Sequence, residues 1–173
     1  VAHGTGVHPI TGGWNNDIKV KNVTLSFLID FKSGGVIYSG TNALAYGNGL
    51  HEETLEGRTE GFTLSGVDSE GNSTTSTVTG QNYFGALSGV STLHVYDADF
   101  IKFRSLSLSY DFPQMGKIKD LTLSVVGRNL FYISRSTPNI DPESNYNNSN
   151  AQGIEYLGVP TTRSFGINLS AKF

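Results

Sequence analysis

Hydrophobic and polar residues take turns, one by one, along four stretches of this chain. Val23, Leu25, Phe27, Ile29 and Phe31 alternate with Thr24, Ser26, Leu28, Asp30 and Lys32. Leu106, Leu108, Tyr110 and Phe112 alternate with Ser105, Ser107, Ser109 and Asp111. Leu121, Leu123 and Val125 alternate with Thr122 and Ser124. Phe165, Ile167, Leu169, Ala171 and Phe173 alternate with Gly166, Asn168, Ser170 and Lys172. A period of two puts one chemistry on each side of a β-strand. The pattern predicts strands over 23–32, 100–112, 121–132 and 165–173. A further strand over 14–20, with Trp14 at an interface, turns tightly through Lys21 and Asn22 into the first of these. Residues 36–38 resume an extended segment after Gly34 and Gly35. No convincing helix and no internal repeat is apparent.

The connections supply direction. They are short near residue 21 and near 116, and long over 39–98 and 134–158. Residues 39–98 are rich in Gly, Ser, Thr and Asn, and 62–64 with 75–78 flank a turn at 68–72 within them. A structureless loop of that length is unusual in a compact soluble domain. Short turns on one side and long loops on the other suit an up-and-down barrel of the outer-membrane kind. The last strand fits that reading, because a barrel wall must pair its final strand to leave no edge. It also fits the last strand of a soluble β-sandwich.

Composition narrows the classes. Charged residues make up 16% of 173, and the net charge is −3, so no basic footprint points to nucleic acid. The chain has no Cys, hence no disulfide framework or thiolate site. No run of about 18 apolar residues forms a membrane-spanning helix, which says nothing of barrel strands. Val1 opens on neither a basic nor an apolar leader segment. An exported protein needs a signal, so the expectation is a removed leader or a preceding part of a longer chain.

The stretches DADFIKFRSLSLSYDFP (97–113) and GRNLFYISRSTPNIDPE (127–143), with the ending at 160–173, resemble the C-terminal region of SusC/RagA-type TonB-linked outer-membrane proteins of Bacteroidetes. VTLSFLIDFKSGG (23–35) does so more loosely. The resemblance implies an all-β fold: the C-terminal portion of an antiparallel up-and-down transmembrane β-barrel, about five strands of a 22-stranded one. Residues 1–173 would belong to that barrel, with extracellular loops over about 39–98 and 134–158. The resemblance further implies a bacterial outer-membrane location and active import of oligosaccharides or peptides with a SusD-like lipoprotein. Its implied partners are the rest of the barrel, a plug domain, TonB acting through an absent N-terminal part, and outer-membrane lipid. The alternative is a soluble or surface all-β carbohydrate-binding or adhesin module.

Site residues follow from strand parity under that resemblance. Phe27, Ile29, Leu106, Leu108, Leu121, Leu123, Ile167 and Leu169 are assigned to lipid. Tyr110, Phe112, Phe131 and Phe173 are assigned to aromatic girdles. Phe165, Ile167, Leu169 and Phe173 form a terminal pattern resembling a barrel-assembly signal. Asp30, Lys32, Arg128 and Asn168 are candidates to line the lumen. Lys102 and Arg104 share parity with Leu106. A tilted strand climbs about 2.4 Å per residue, so Arg104 stands about 20 Å above Phe112. With Arg163 at a similar height, these cations are candidates for lipopolysaccharide phosphates. A bulge near Ser105 would instead turn Lys102 and Arg104 inward.

Enzyme chemistry is not expected, and no cofactor is implied. His51-Glu52-Glu53 lacks the second His of a zincin. Asp68 to Asn72 lacks the spaced ligand set of a calcium loop. Tyr83, Phe84 and Tyr96 are weak candidates to stack on a sugar or peptide.

Overall fold

The alternating segments form strands, and their polar backbone groups are paired by neighbours rather than by a second layer. In the computed structural model, residues 2–114, 116, 118–146 and 152–172 are described. In chain order the elements are β1 (Ile10–Val20), β2 (Val23–Ser33), β3 (Val36–Ser39), α1 (Gly40–Gly47), β4 (Phe62–Val67), β5 (Ser73–Val78), α2 (Gly80–Ser88), β6 (Val95–Asp97), β7 (Phe100–Phe112), β8 (Asp120–Arg135), β9 (Ile154–Glu155) and β10 (Ser164–Lys172). Five strands make one sheet in the order β1-β2-β7-β8-β10, with every neighbouring pair antiparallel. Phe173, expected at the tip of the terminal strand, lies outside the described residues.

Two short connections sit at one end of this sheet. Lys21 adopts φ 53° in the two-residue turn between β1 and β2. The Asn22 side chain donates to the Asp111 carbonyl at 2.7 Å, tying that turn to the end of β7. The long connections gather at the other end. There β3 pairs antiparallel with β6 and parallel with β9, so the two long excursions share one small sheet. Gly153, at φ 81°, is pressed so close that an added Cβ would lie 2.5 Å from the Gly6 Cα.

Contrary to the helix-free expectation, this end carries α1 and α2. Ser39 caps α1 by accepting from the Asn42 N–H, and Thr79 caps α2 by accepting from the Asn82 N–H. These side chains satisfy donors that a helix start leaves without partners. The hairpin of β4 and β5 falls where the turn at 68–72 places it.

The packed core lies in the loop end, where Ile37, Ala98 and Ile140 are buried with Tyr96 against them. Among the described residues, no layer covers the apolar face of the large sheet. Register places Trp14, Ile29 and Phe27 beside Phe103, Leu106, Leu108 and Tyr110, then Leu123 and Val125, then Ile167 and Leu169. Leu108 is 51% exposed, Val125 50% and Ile167 77%. In water each such side chain forgoes a half or more of the about 1.5–3 kcal/mol that full burial yields, and a continuous patch of this kind marks a contact surface. A row of aromatics crosses the same face. Trp14 meets Phe27 edge-on at 5.3 Å, Phe27 lies parallel to Phe103 at 6.1 Å, and Phe103 stacks on Phe131 at 5.4 Å. Tyr110 and Phe112 meet at 4.8 Å nearer the short-turn end.

The opposite face is hydroxyl-rich. Ser109 donates to Ser124 at 2.9 Å and Thr122 to Asp111 at 2.8 Å. In the assembled full-length protein, Leu108→Arg is expected to lower folded yield and stability by about 2–4 kcal/mol, as a cation at mid-bilayer does. Ser107→Arg, on the hydroxyl face, should stay near wild type. Denaturant titration of the folded protein in lipid checks the pair.

Candidate functional site

The alternation of β7 breaks at one residue. Ser105 faces Leu28 and Phe103 faces Ile29, so Arg104 is an extra residue against β2. On the β8 side, Asn129 and Leu130 lie opposite Arg104, and Asn129 adopts φ 51°. A bulge shifts the parity of everything beyond it. Phe103 and Ile101 therefore join the apolar face. Lys102 joins the polar face opposite Asp30.

This corrects the outward placement expected for Lys102 and Arg104. Both turn inward and are held by this chain's own carboxylates. Lys102 is 1% exposed. Its Nζ donates to Glu143 Oε2 at 2.7 Å, Thr161 Oγ1 at 2.8 Å and Tyr132 Oη at 3.1 Å. Arg104 bridges two carboxylates. It reaches Asp30 Oδ2 through Nη2 at 2.6 Å and Nε at 2.9 Å, and Glu143 through Nη2 at 2.7 Å and Nη1 at 2.9 Å. Nη1 also donates to Asn129 Oδ1 at 3.0 Å.

Asp141 completes the cluster. It accepts from Tyr132 Oη at 2.5 Å, from the Glu143 N–H at 2.9 Å, and from Thr161 through the N–H at 2.7 Å and Oγ1 at 2.6 Å. Burial alone would raise the Asp141 carboxyl. Hydrogen bonds from Thr161 and Tyr132 and from the two N–H groups outweigh it and hold the carboxyl at about 2. Burial likewise opposes the Glu143 charge, and the Arg104 and Lys102 partners prevail and lower it.

Buried charges persist only when paired and hydrogen-bonded. The pairing joins three strands of the wall to the segment 137–161, whose Asp141-Pro142-Glu143 corner carries two of the three carboxylates. The arrangement is a latch between sheet and loop. Of the lumen candidates, Asp30 belongs to it. Lys32, Arg128 and Asn168 share its face: Lys32 lies with its Nζ 5.9 Å from the Phe100 ring centroid, Arg128 pairs with Ser105 and Ser164, and Asn168 pairs with Ser124. Phe165, Ile167 and Leu169 stand together on the bare apolar face. Arg163 is exposed and lines the same hollow as Lys102, Asp141 and Thr161.

A second clasp orders the loop end. Glu155 accepts from Ser39 Oγ at 2.7 Å, from Thr41 Oγ1 at 2.5 Å and from the Gly158 N–H at 3.1 Å. Asn42 and Asn139 exchange amide hydrogen bonds of 2.9 Å in both directions. The aromatic residues expected to stack on ligand are used in packing. Phe84 is buried against Tyr46 and Phe62, Tyr83 covers Phe62 at 4.2 Å, and the Tyr96 hydroxyl accepts from Asn42. Tyr46 donates to Glu53, and burial followed by that carboxylate pushes its hydroxyl up. His51 starts a short 3-10 turn by accepting from the Glu53 N–H.

An antiparallel sheet, bare and apolar on one side, hydroxyl-rich on the other, with folded loops at one end, is a piece of the wall of a transmembrane β-barrel. Comparison with known proteins gives the kind of barrel. The chain is 28% identical to TonB-dependent receptor P3 of Formosa agariphila over 94% of its own length and 16% of that protein's. The RagAB peptide importer in its closed-closed state matches with TM-score 0.67 and 18% identity, over 97% of this chain and 18% of that one. The open-open state matches with TM-score 0.65 over 95% and 17%. No protein-family profile matches. The chain spans about one sixth of the length of that receptor. In sequence and fold it is similar to a barrel segment of TonB-dependent outer-membrane receptors of the SusC/RagA type.

Two predictions test the latch. Glu143→Gln leaves Lys102 and Arg104 without their shared counter-charge, a loss of about 3–5 kcal/mol for a buried pair. Hydrogen exchange should rise over 137–146 and 152–161 and stay unchanged in β1. Because the folded Asp141 value lies below the ordinary 3.8, its contribution is complete above that range and lost as pH falls toward about 2. Protease protection of the same segment should hold at about pH 5 and fail progressively below about pH 4.

Proposed function

We propose that the chain is a five-stranded part of the barrel of a TonB-dependent active transporter, importing oligosaccharides or peptides across the outer membrane with a SusD-like lipoprotein. The carrying observation is the bare apolar face spanning five strands. Among the described residues, no surface of the loop end covers it, and hydrocarbon is the environment that removes its cost. The remaining strands complete the wall along the free edges of β1 and β10. A plug domain fills the lumen beside Asp30, Lys32, Arg128 and Asn168, and TonB acts on a part of the protein outside these residues. The long connections over 39–98 and 134–158 face outward, and the latch keeps the second of them seated on the wall. The likeness to RagAB, a peptide importer, favours peptide cargo. Phe165, Ile167 and Leu169, with Phe173, supply the edge that the barrel-assembly machinery reads.

The competing reading is a soluble carbohydrate-binding or adhesin module. Cells lacking the full-length protein should fail to grow on its oligosaccharide or peptide as sole nutrient, and a version deprived of TonB coupling should fail in the same way. The protein should require detergent for extraction. Recovery as a monodisperse monomer after detergent-free lysis would remove the transporter reading.

A further inference from the structure

The latch leaves an open hollow of about 570 Å³ beside it, lined among others by Lys102, Tyr132, Asp141, Arg135, Arg163 and Pro160. The strand register sets this hollow on the polar face. Lys102 lies opposite Asp30 and Tyr132, and Arg135 lies opposite Phe100, which in turn faces Lys32. The acceptors here are already engaged. Both Asp141 oxygens are taken by Tyr132, Thr161 and the Glu143 N–H. Both Glu143 oxygens are taken by Lys102 and Arg104. Lys102 has given its three donors to Glu143, Thr161 and Tyr132. The two arginines are different. Arg135 spends one Nη2 bond on the Pro138 carbonyl at 3.0 Å. Among the described residues it has no carboxylate partner, and Arg163 has no hydrogen-bond or ion-pair partner. Latch and hollow together hold Lys102, Arg104, Arg135 and Arg163 against Asp30, Asp141 and Glu143, which leaves positive charge in excess.

We infer that this hollow receives a carboxylate group of the cargo, with Arg135 and Arg163 as its donors. Where the acceptors are engaged and the unspent groups are N–H donors, the group that fits is an acceptor. The excess positive charge makes that acceptor an anion, and a guanidinium fork matches the two oxygens of a carboxylate. Ligand pockets run to about 300–1,000 Å³, so the hollow has room for the amino-acid or sugar unit that carries the charge. Two kinds of cargo supply this chemistry: a peptide through its C-terminal carboxylate and an oligosaccharide through a uronic acid. The inference rests on the transporter reading, in which the polar face is the lumen, and it narrows the cargo to acidic members.

The test uses the full-length protein in detergent and two pairs of probes: pentaalanine with its C-terminal amide, and trigalacturonate with its methyl ester. Calorimetric titration should show the carboxylate of at least one pair held about tenfold tighter than its neutral counterpart. The pair that shows the difference identifies the cargo as peptide or uronate. The double variant R135A/R163A should erase the difference, and R135K/R163K should keep part of it. Lys19→Ala at the opposite end of the sheet should change nothing. Equal binding within both pairs, or binding of none of the probes, overturns the inference alone. So does a double variant that keeps the full difference while heat-modifiable migration shows a folded barrel. Should the double variant fail to fold, the wild-type pairs decide. A wild-type protein with no folded, detergent-requiring form removes the transporter reading and this site with it.

Discussion

One extra residue, Arg104, sets the character of this wall. An antiparallel ladder fixes which side chains face which way, and a single insertion in one strand reverses the assignment beyond it. Without the bulge, two cations would project from the apolar face. With it, Lys102 and Arg104 meet Asp30 and Glu143 on the polar face, and Phe103 takes its place between Phe27 and Phe131. The same step keeps the outer surface apolar and creates the anchor for the loop.

The anchor explains why the loop end is folded at all. Its core of Ile37, Ala98 and Ile140 is small, and such a core supports little structure alone. Polar fastenings supply the remainder. Asp141 and Glu143 fix the second long connection to the wall, Glu155 fixes it to the first helix, and the β3–β9 pairing joins the two connections. Such fastenings let the loop end hold a shape above the sheet. Buried ion pairs define geometry well even where their net stabilisation is modest.

The sheet was legible in the sequence because alternation is a direct record of two unlike environments. The strand over 100–112 and the two-residue turn at Lys21-Asn22 appear where the pattern put them. The helices were not legible: α1 and α2 have eight and nine residues, begin on Gly and carry little periodicity. Their traces were the capping hydroxyls of Ser39 and Thr79. The bulge was half legible. Apolar parity changes from Ile101 and Phe103 to Leu106 and Leu108, a shift overshadowed by the apparent regularity of Lys102, Arg104 and Leu106. The latch lay beyond sequence reading, because Glu143 meets Lys102 only after a loop of unpredictable path returns to the wall.

The central claim is a wall whose lipid and lumen faces exchange parity at Arg104. The chain has no Cys, so single cysteines placed along β7 from 101 to 110 in the full-length protein, each carrying a polarity-sensitive label, read each position's environment. Accessibility to a lipid-soluble quencher should peak at 101, 103, 106, 108 and 110, and to an aqueous quencher at 105, 107 and 109. An alternation that continues unbroken through 104, or water access at every position, would contradict the account.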